Sequence, residues 1–300
     1  LSLSSVANGS FMNGFENYML DQFPLRGSFR TLKAAANAKV FMQKDNNGFY
    51  SVGEHLSRLD FPTDFDSVDR AARRFRFVYD AYLRNSGVKT YLSVIPDKNV
   101  FIASPNGYPD KDYKALTERL RSGFPEAKYI DISGLLSADD FYYTDSHWRQ
   151  ERITKVADEI AAQMGAERIG TCEIQDTGRP FYGVYYGQAA LPHAPERLFY
   201  LDNAVIRGLK VYNVETQSDI PVYDLGAAAG RDPYEMFLGG ARSLIKITNP
   251  NAAQERRLIV FRDSFGSSIA PLLAAGYSEI TLVDIRYISP SSLGKLIDFT

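Results

Sequence analysis

Apolar positions along this chain recur at two spacings, and the alternation between them lays out the elements. From Phe15 to Val40 the pattern is helical, broken once at Phe23-Pro24; beyond the break Phe29, Leu32, Ala36 and Val40 fall on one face. Phe49 to Val52 reads as a short strand. Val68, Ala71, Ala72, Phe75, Val78, Tyr79 and Tyr82 are spaced three or four apart and predict a longer helix, with Ser67 as its cap. Thr90 to Pro96 is an apolar run ending in proline, which suits a central parallel strand. Tyr113 to Arg121 is helical again, and Tyr129 to Ile132 is a third short strand. Ile153, Val156, Ala157, Ile160, Ala161 and Met164 then form the buried stripe of a helix closed by Gly165.

Helix and strand taken in turn are the rhythm of an open, mainly parallel sheet with helices on both faces, and such sheets bind ligands outside the carboxyl ends of their strands. The texture changes after Cys172. Short aromatic runs divided by Gly, Pro and Asn predict strands and hairpins. We read 173–232 as a β-rich insertion or lid packed on one α/β domain spanning 1–300. Its tyrosines either line a groove or form a hydrophobic seam. The Gly239-Gly240 pair is either a turn or a place where backbone N–H groups approach a ligand. Ile280 to Tyr287 is a last strand whose carboxyl end carries Asp284, Arg286 and Tyr287.

Composition narrows the functions. Hydrophobic residues make up 45% of the chain and charged residues 23%, the mix of an ordinary globular protein. A net charge of −2 gives no pull toward nucleic acid. One cysteine, Cys172, excludes an intrachain disulfide and any multi-cysteine metal site. Neither Gly-x-Gly-x-x-Gly nor a Gly-x-x-x-x-Gly-Lys loop follows any strand, so a nucleotide cofactor is not expected. No histidine pair or acidic pair demands a metal. The opening Leu1-Ser-Leu-Ser-Ser-Val-Ala-Asn-Gly, without Met, reads as a chain trimmed of a signal or anchor segment.

The chemistry concentrates at two places. Leu258 to Phe261 is a strand expected to be buried on both faces; it stops at Arg262-Asp263-Ser264, after which Ile269, Leu272 and Leu273 recur at helical spacing. A strand turning sharply into a helix exposes the turn at the sheet's carboxyl edge, with backbone N–H groups pointing into the same space. Ser264 would there be a nucleophile, and the N–H groups of Ser264, Phe265 or Gly266 would hold an oxyanion. The plainer alternative is that Ser264 or Ser267 caps the helix. Asp145 and His147 lie just before the Ile153 helix. A carboxylate two residues ahead can accept from one ring nitrogen and leave the other as a base, with Trp148 packing the ring in place. The alternative is that Thr144 or Asp145 caps the helix and His147 is merely packed. His55 and His193 have no carboxylate at useful spacing. Over a hundred residues separate His147 from Ser264, so spacing alone does not bring them together.

Several ordered blocks carry a resemblance: Glu16–Arg26, Tyr142–Trp148 (Tyr-Tyr-Thr-Asp-Ser-His-Trp), Phe181–Tyr186, Tyr234–Gly240, Arg262–Gly266 and Tyr277–Tyr287. Together they resemble the bacterial DHHW protein family over nearly the whole chain. Ser146 stands where the name-giving motif has its first His, but the Asp-x-His pair survives. That family is similar in turn to the SGNH-hydrolase-like domains of alginate O-acetylation proteins, which carry Asp-x-His ahead of the serine. The resemblance implies a three-layer α/β/α SGNH-hydrolase-like fold in an extracytoplasmic protein, secreted or membrane-anchored. It also implies acyl transfer on a cell-surface polysaccharide, as O-acetyltransferase or acetylesterase, by Ser264, His147 and Asp145. The partners implied are an acylated glycan or acyl donor and a membrane-associated acetylation machinery. Phe265, Gly266, Gly239, Gly240, Arg286 and Tyr287 are the expected oxyanion or substrate-binding residues. The second reading is a non-catalytic cell-envelope module that binds carbohydrate through its aromatic cleft.

Overall fold

The computed structural model describes residues 2, 4 and 10–299. Most of the opening stretch 1–9, on which the trimmed-segment reading rests, lies outside them. In chain order the elements are α1 (Ser10–Gln22), α2 (Arg26–Lys39), β1 (Phe49–Val52), β2 (His55–Arg58), α3 (Phe65–Val78), β3 (Tyr91–Leu92), α4 (Asn99–Ile102), α5 (Tyr113–Gly123) and β4 (Lys128–Tyr129). They continue with α6 (Thr154–Gln163), β5 (Glu173–Phe181), α7 (Val184–Ala189), β6 (Glu196–Asp202), α8 (Ala204–Gly208), β7 (Lys210–Asn213), β8 (Ser218–Ile220), β9 (Leu244–Thr248), β10 (Arg257–Phe261), α9 (Phe265–Leu273) and β11 (Glu279–Val283).

The fold is mixed α/β, but the expectation of a mainly parallel central sheet is corrected. The principal sheet has the order β10-β11-β9-β7-β8, and only β10 and β11 run parallel; β9 is antiparallel to both β11 and β7, and β7 to β8. The apolar pattern identifies a strand without giving its direction, because burial on a pleated face is the same either way along it. A four-residue link, 214–217, joins β7 to β8 and can only close an antiparallel pair. Of the stretch read as a β-rich insertion, β5 and β6 form a separate antiparallel ribbon, whereas β7 and β8 complete the main sheet.

Further strand expectations change: of Tyr129–Ile132 only Tyr129 lies in β4, and the last strand ends at Val283 rather than Tyr287. Thr90–Pro96 contributes only Tyr91 and Leu92, paired with β4 outside the five-stranded sheet; Ser93 instead donates its hydroxyl to the Ile130 carbonyl at 3.0 Å. Leu258–Phe261 is half-buried rather than buried on both faces, because β10 is the outermost strand and pairs on one side alone.

Helices and loops cover both faces of the sheet. Ile245, Ile247, Ile280 and Leu282 point to one side, where they meet Ile269, Leu272 and Leu273 of α9 and Val156 and Ala157 of α6. Leu244, Val283, Ile259 and Phe261 point to the other, against Val78, Leu293, Ile297 and Phe299. Each fully buried aliphatic chain contributes about 1.5–3 kcal/mol, so the strand-to-helix turn after β10 is anchored by apolar packing on both sides. Asp64, not Ser67, caps α3: its carboxylate accepts from the Ser67 N–H at 2.9 Å.

Candidate active site

Ser264 lies on the turn between β10 and α9, half-buried, with right-handed backbone angles and no side-chain capping bond. Asp263 performs the capping instead: its carboxylate accepts from the Phe265 N–H at 3.0 Å and its carbonyl from the Gly266 N–H at 3.1 Å. The Ser264 hydroxyl is thereby left to another partner. Gly266 allows the turn to close, since a Cβ there would stand 2.5 Å from Cβ of Arg262. Ser267, the other capping candidate, keeps its hydroxyl buried with no partner among the described residues.

Asp145 and His147 sit on a tight loop ahead of α6. Phe141 bridges Trp148 across its base, and the Tyr142 N–H donates to the His147 carbonyl at 3.0 Å. The loop therefore presents residues 143–146 at its tip, and none of them caps α6.

The structure brings the three side chains together. His147 Nδ1 is 2.6 Å from Asp145 Oδ1, and His147 Nε2 is 2.7 Å from the Ser264 hydroxyl. Asp145 is fully buried and also accepts from the backbone N–H of His147 at 3.0 Å and of Val184 at 2.8 Å. Burial pushes its pKa up, but the hydrogen bonds it accepts from His147 and Val184, with its electrostatic attraction to the imidazole, outweigh that and hold it below the ordinary carboxylate range. An ionised carboxylate only accepts, so Nδ1 carries the ring proton and Nε2 is the bare nitrogen that receives the Ser264 hydroxyl.

A second layer fixes the loop, and sequence reasoning missed most of it. Lys98 is wholly buried, and its ammonium donates to the carbonyls of Tyr142, Tyr143 and Asp145 at 3.0, 3.0 and 2.7 Å. Burial lowers its pKa to about 8, partly offset by Asp145, Asp97 and Glu196. Glu196 receives the N–H groups of Tyr143 and Thr144 and the Thr144 hydroxyl, at 2.8, 2.8 and 2.9 Å, and pairs with Arg149 at 2.5 Å. Gly183 must be glycine because a Cβ would lie 2.4 Å from both Asp145 Cβ and the Thr144 carbonyl oxygen. Nothing in the local pattern marks Lys98 or Glu196, since a lysine or glutamate is ordinarily a surface residue.

Tyr234 stacks on the imidazole, with ring centroids 3.8 Å apart and planes 11° off parallel. Its hydroxyl donates to Ser268 Oγ at 2.7 Å, where the Trp148 indole N–H also arrives at 2.8 Å; Ser268 passes its own proton to the Phe265 carbonyl at 3.2 Å. Loop and helix α9 are thus joined through one buried hydroxyl. Trp148 does pack beside the site, edge-on to Phe265 at 5.3 Å.

The expected oxyanion donors are partly engaged within the turn. The N–H groups of Phe265 and Gly266 are both bound to Asp263, whereas the Ser264 N–H has no acceptor among the described residues. Gly239 and Gly240 form a left-handed turn (φ 69° and 76°) whose Gly240 N–H is bound to the Phe237 carbonyl. The Arg262 guanidinium, buried and lowered in pKa by that burial, reaches the carbonyls of Gly240 at 3.4 Å and Arg242 at 3.3 Å. Parallel pairing of β10 with β11 places Arg286 and Tyr287 at the same sheet edge as Ser264. Arg286 is paired with Asp284 at 2.6 Å and lies over the Tyr287 ring, and neither is hydrogen-bonded to Ser264, His147 or Asp145. No cluster of three or more His, Cys, Asp or Glu suited to a metal ion occurs among the described residues.

Comparison with known proteins places this geometry in a recognised fold. A DHHW family protein from Eubacterium siraeum is similar with a TM-score of 0.66 and 18% identity, over 84% of this chain and 88% of that one. PatB1 of Bacillus cereus is similar with a TM-score of 0.62 and 17% identity, over 80% and 88%. A second PatB1 structure, with a sulfonyl adduct, gives 0.61 and 16%, over 80% and 85%. No family profile and no curated protein matches the chain.

Proposed function

We propose that the chain is a serine-dependent acyltransferase or acylesterase, with Ser264 as nucleophile, His147 as general base and acid, and Asp145 as the group that orients and charges the imidazole. The observation that carries this reading is the unbroken hydrogen-bond chain from a buried carboxylate through one imidazole to a half-exposed hydroxyl, at 2.6 and 2.7 Å. A hydroxyl held only for structure would cap the helix; here Asp263 caps it.

In the first half-reaction Ser264 Oγ attacks the acyl carbonyl while His147 Nε2 takes its proton. Asp145 stabilises the resulting imidazolium, and the Ser264 N–H is the available donor for the oxyanion. Collapse of the tetrahedral intermediate breaks the bond to the departing alkoxide, which leaves with the proton from Nε2. In the second half-reaction a sugar hydroxyl or water gives its proton to the same nitrogen and attacks the acyl-serine, restoring Ser264. Transfer and hydrolysis differ only in that second nucleophile. The resemblance noted above favours O-acetyl groups of a cell-surface polysaccharide as substrate and an extracytoplasmic setting. The sulfonyl adduct of PatB1 fits the same chemistry, because such adducts form when an activated nucleophile meets a sulfonylating reagent.

A fluorophosphonate probe tests the reading. Covalent labelling at Ser264 is expected, abolished by Ser264→Ala and slowed by at least about a hundredfold in His147→Ala. A folded protein that resists the probe yet binds glycan equally well after both substitutions would belong to the non-catalytic carbohydrate-binding class. The Tyr182–Tyr186 ring pair, with centroids 4.5 Å apart and Tyr182 exposed, is the aromatic surface such a module would use.

A further inference from the structure

Helix α2 is packed with its polarity inverted. A helix on a globular body ordinarily turns its apolar stripe inward. Here the side facing the body is polar: Arg30 donates to the carbonyls of Gly187 and Gln188 at 3.0 and 3.3 Å, and Asn37 donates to Asn46 at 2.9 Å, around a buried Ala34. The apolar residues point outward, Phe29 at 54% and Leu32 at 65% exposure, with Leu25, Val40, Phe41 and Met42 also exposed. Phe23 meets Phe29 edge-on at 5.7 Å and carries the surface over to α1, where Met12, Phe15, Tyr18 and Met19 are exposed in turn. Scattered exposed apolar residues need no explanation; a continuous two-helix face does.

The charge along the α2 part of that face selects its partner. Between 23 and 42 the chain has Arg26, Lys33 and Lys39 besides the inward-turned Arg30 and no carboxylate, whereas α1 carries Glu16 and Asp21. At helical spacing Arg26 and Lys33 lie three residues before and four after Phe29, along one border of the stripe. A second copy docked on 23–42 through a two-fold axis would bring more cations and no carboxylate to this border. An apolar stripe bordered by cations suits a helix lying in an anionic lipid interface. We propose that the outward face of α2 docks on a membrane surface containing anionic phospholipid, with Phe29 and Leu32 among its inserted side chains. Among the described residues no helix is long and apolar enough to cross a membrane.

Co-sedimentation of the full chain with vesicles of phosphatidylcholine alone, or of phosphatidylcholine with phosphatidylglycerol, tests the proposal. Binding is expected to the anionic vesicles and not to the neutral ones, and to weaken as salt is raised. Phe29→Glu with Leu32→Glu should abolish it, and Lys33→Gln should weaken it about fivefold, while both variants keep the parent melting temperature because all three side chains face solvent. Failure to bind anionic vesicles, or equal binding to neutral ones, overturns the proposal. So does a dimer in solution that the Phe29→Glu, Leu32→Glu pair dissociates, which would assign the face to a second copy.

Discussion

Tyr234 holds the His147 side chain and its loop through two separate contacts. Its ring lies flat against His147, where it limits rotation of the imidazole and offers a π-face to the imidazolium. Its hydroxyl serves a separate purpose, tying the loop to α9 through Ser268. The two contributions separate by substitution. Tyr234→Phe keeps the stack and is expected to lower stability by about 1 kcal/mol with little change in the rate of probe capture at Ser264. Tyr234→Leu removes the stack and should slow capture about tenfold. Equal capture rates in the two variants would show the stack to be packing alone. This role was hidden in the sequence: Tyr234 falls within a recognisable block, but nothing in its neighbourhood says that it will face an imidazole 87 residues earlier.

Among the elements, the loop from Phe141 to Trp148 depends most on distant support. Short loops hold one geometry only when their backbone groups are bound, and here Lys98 fills three carbonyls while Glu196 fills two N–H groups. Lys98→Met would leave three buried acceptors without that donor, at about 3 kcal/mol or more. Urea denaturation should register this loss. Probe capture should slow as well, because Asp145 would no longer be held at its carbonyl end; an unchanged capture rate at lowered stability would confine Lys98 to a purely structural part. The helix stripe after the loop and the strand-turn-helix around Ser264 were both legible from apolar spacing. The direction of the strands was not, since the same spacing serves parallel and antiparallel pairing.

At the scale of the molecule, two groups contribute acid sensitivity, against Asp97, Glu151 and Asp232, whose pKa values burial raises. Burial lowers the pKa of His55 to about 4 from its ordinary 6.5, with the Lys98 charge adding to the effect. A group depressed in this way favours the fold above its unfolded pKa, and that contribution is lost progressively as pH falls from about 6.5 to about 4. Asp145 acts lower: its pKa is below the ordinary carboxylate range, so its contribution is complete above about 3.9 and disappears as pH falls through the folded value. Melting temperature should therefore decline between pH 6.5 and 4 and decline further below. His55→Gln should flatten the first part of that curve and spare the second; an unaltered slope would assign the acid sensitivity to other groups.

By itself the sequence determined most of the helices, that Ser264 stands on a strand-to-helix turn, and that Asp145 and His147 share a loop. These are consequences of short-range spacing, which a linear pattern records. Tertiary structure alone decided that the 117-residue separation closes to 2.7 Å, that the Phe265 and Gly266 amides are taken by Asp263, and that a buried lysine braces the loop. It also decided that the apolar stripe of α2 faces outward. An amphipathic pattern states that a face must be covered; only the packing of the whole chain determines whether the cover is its own core or a surface it meets.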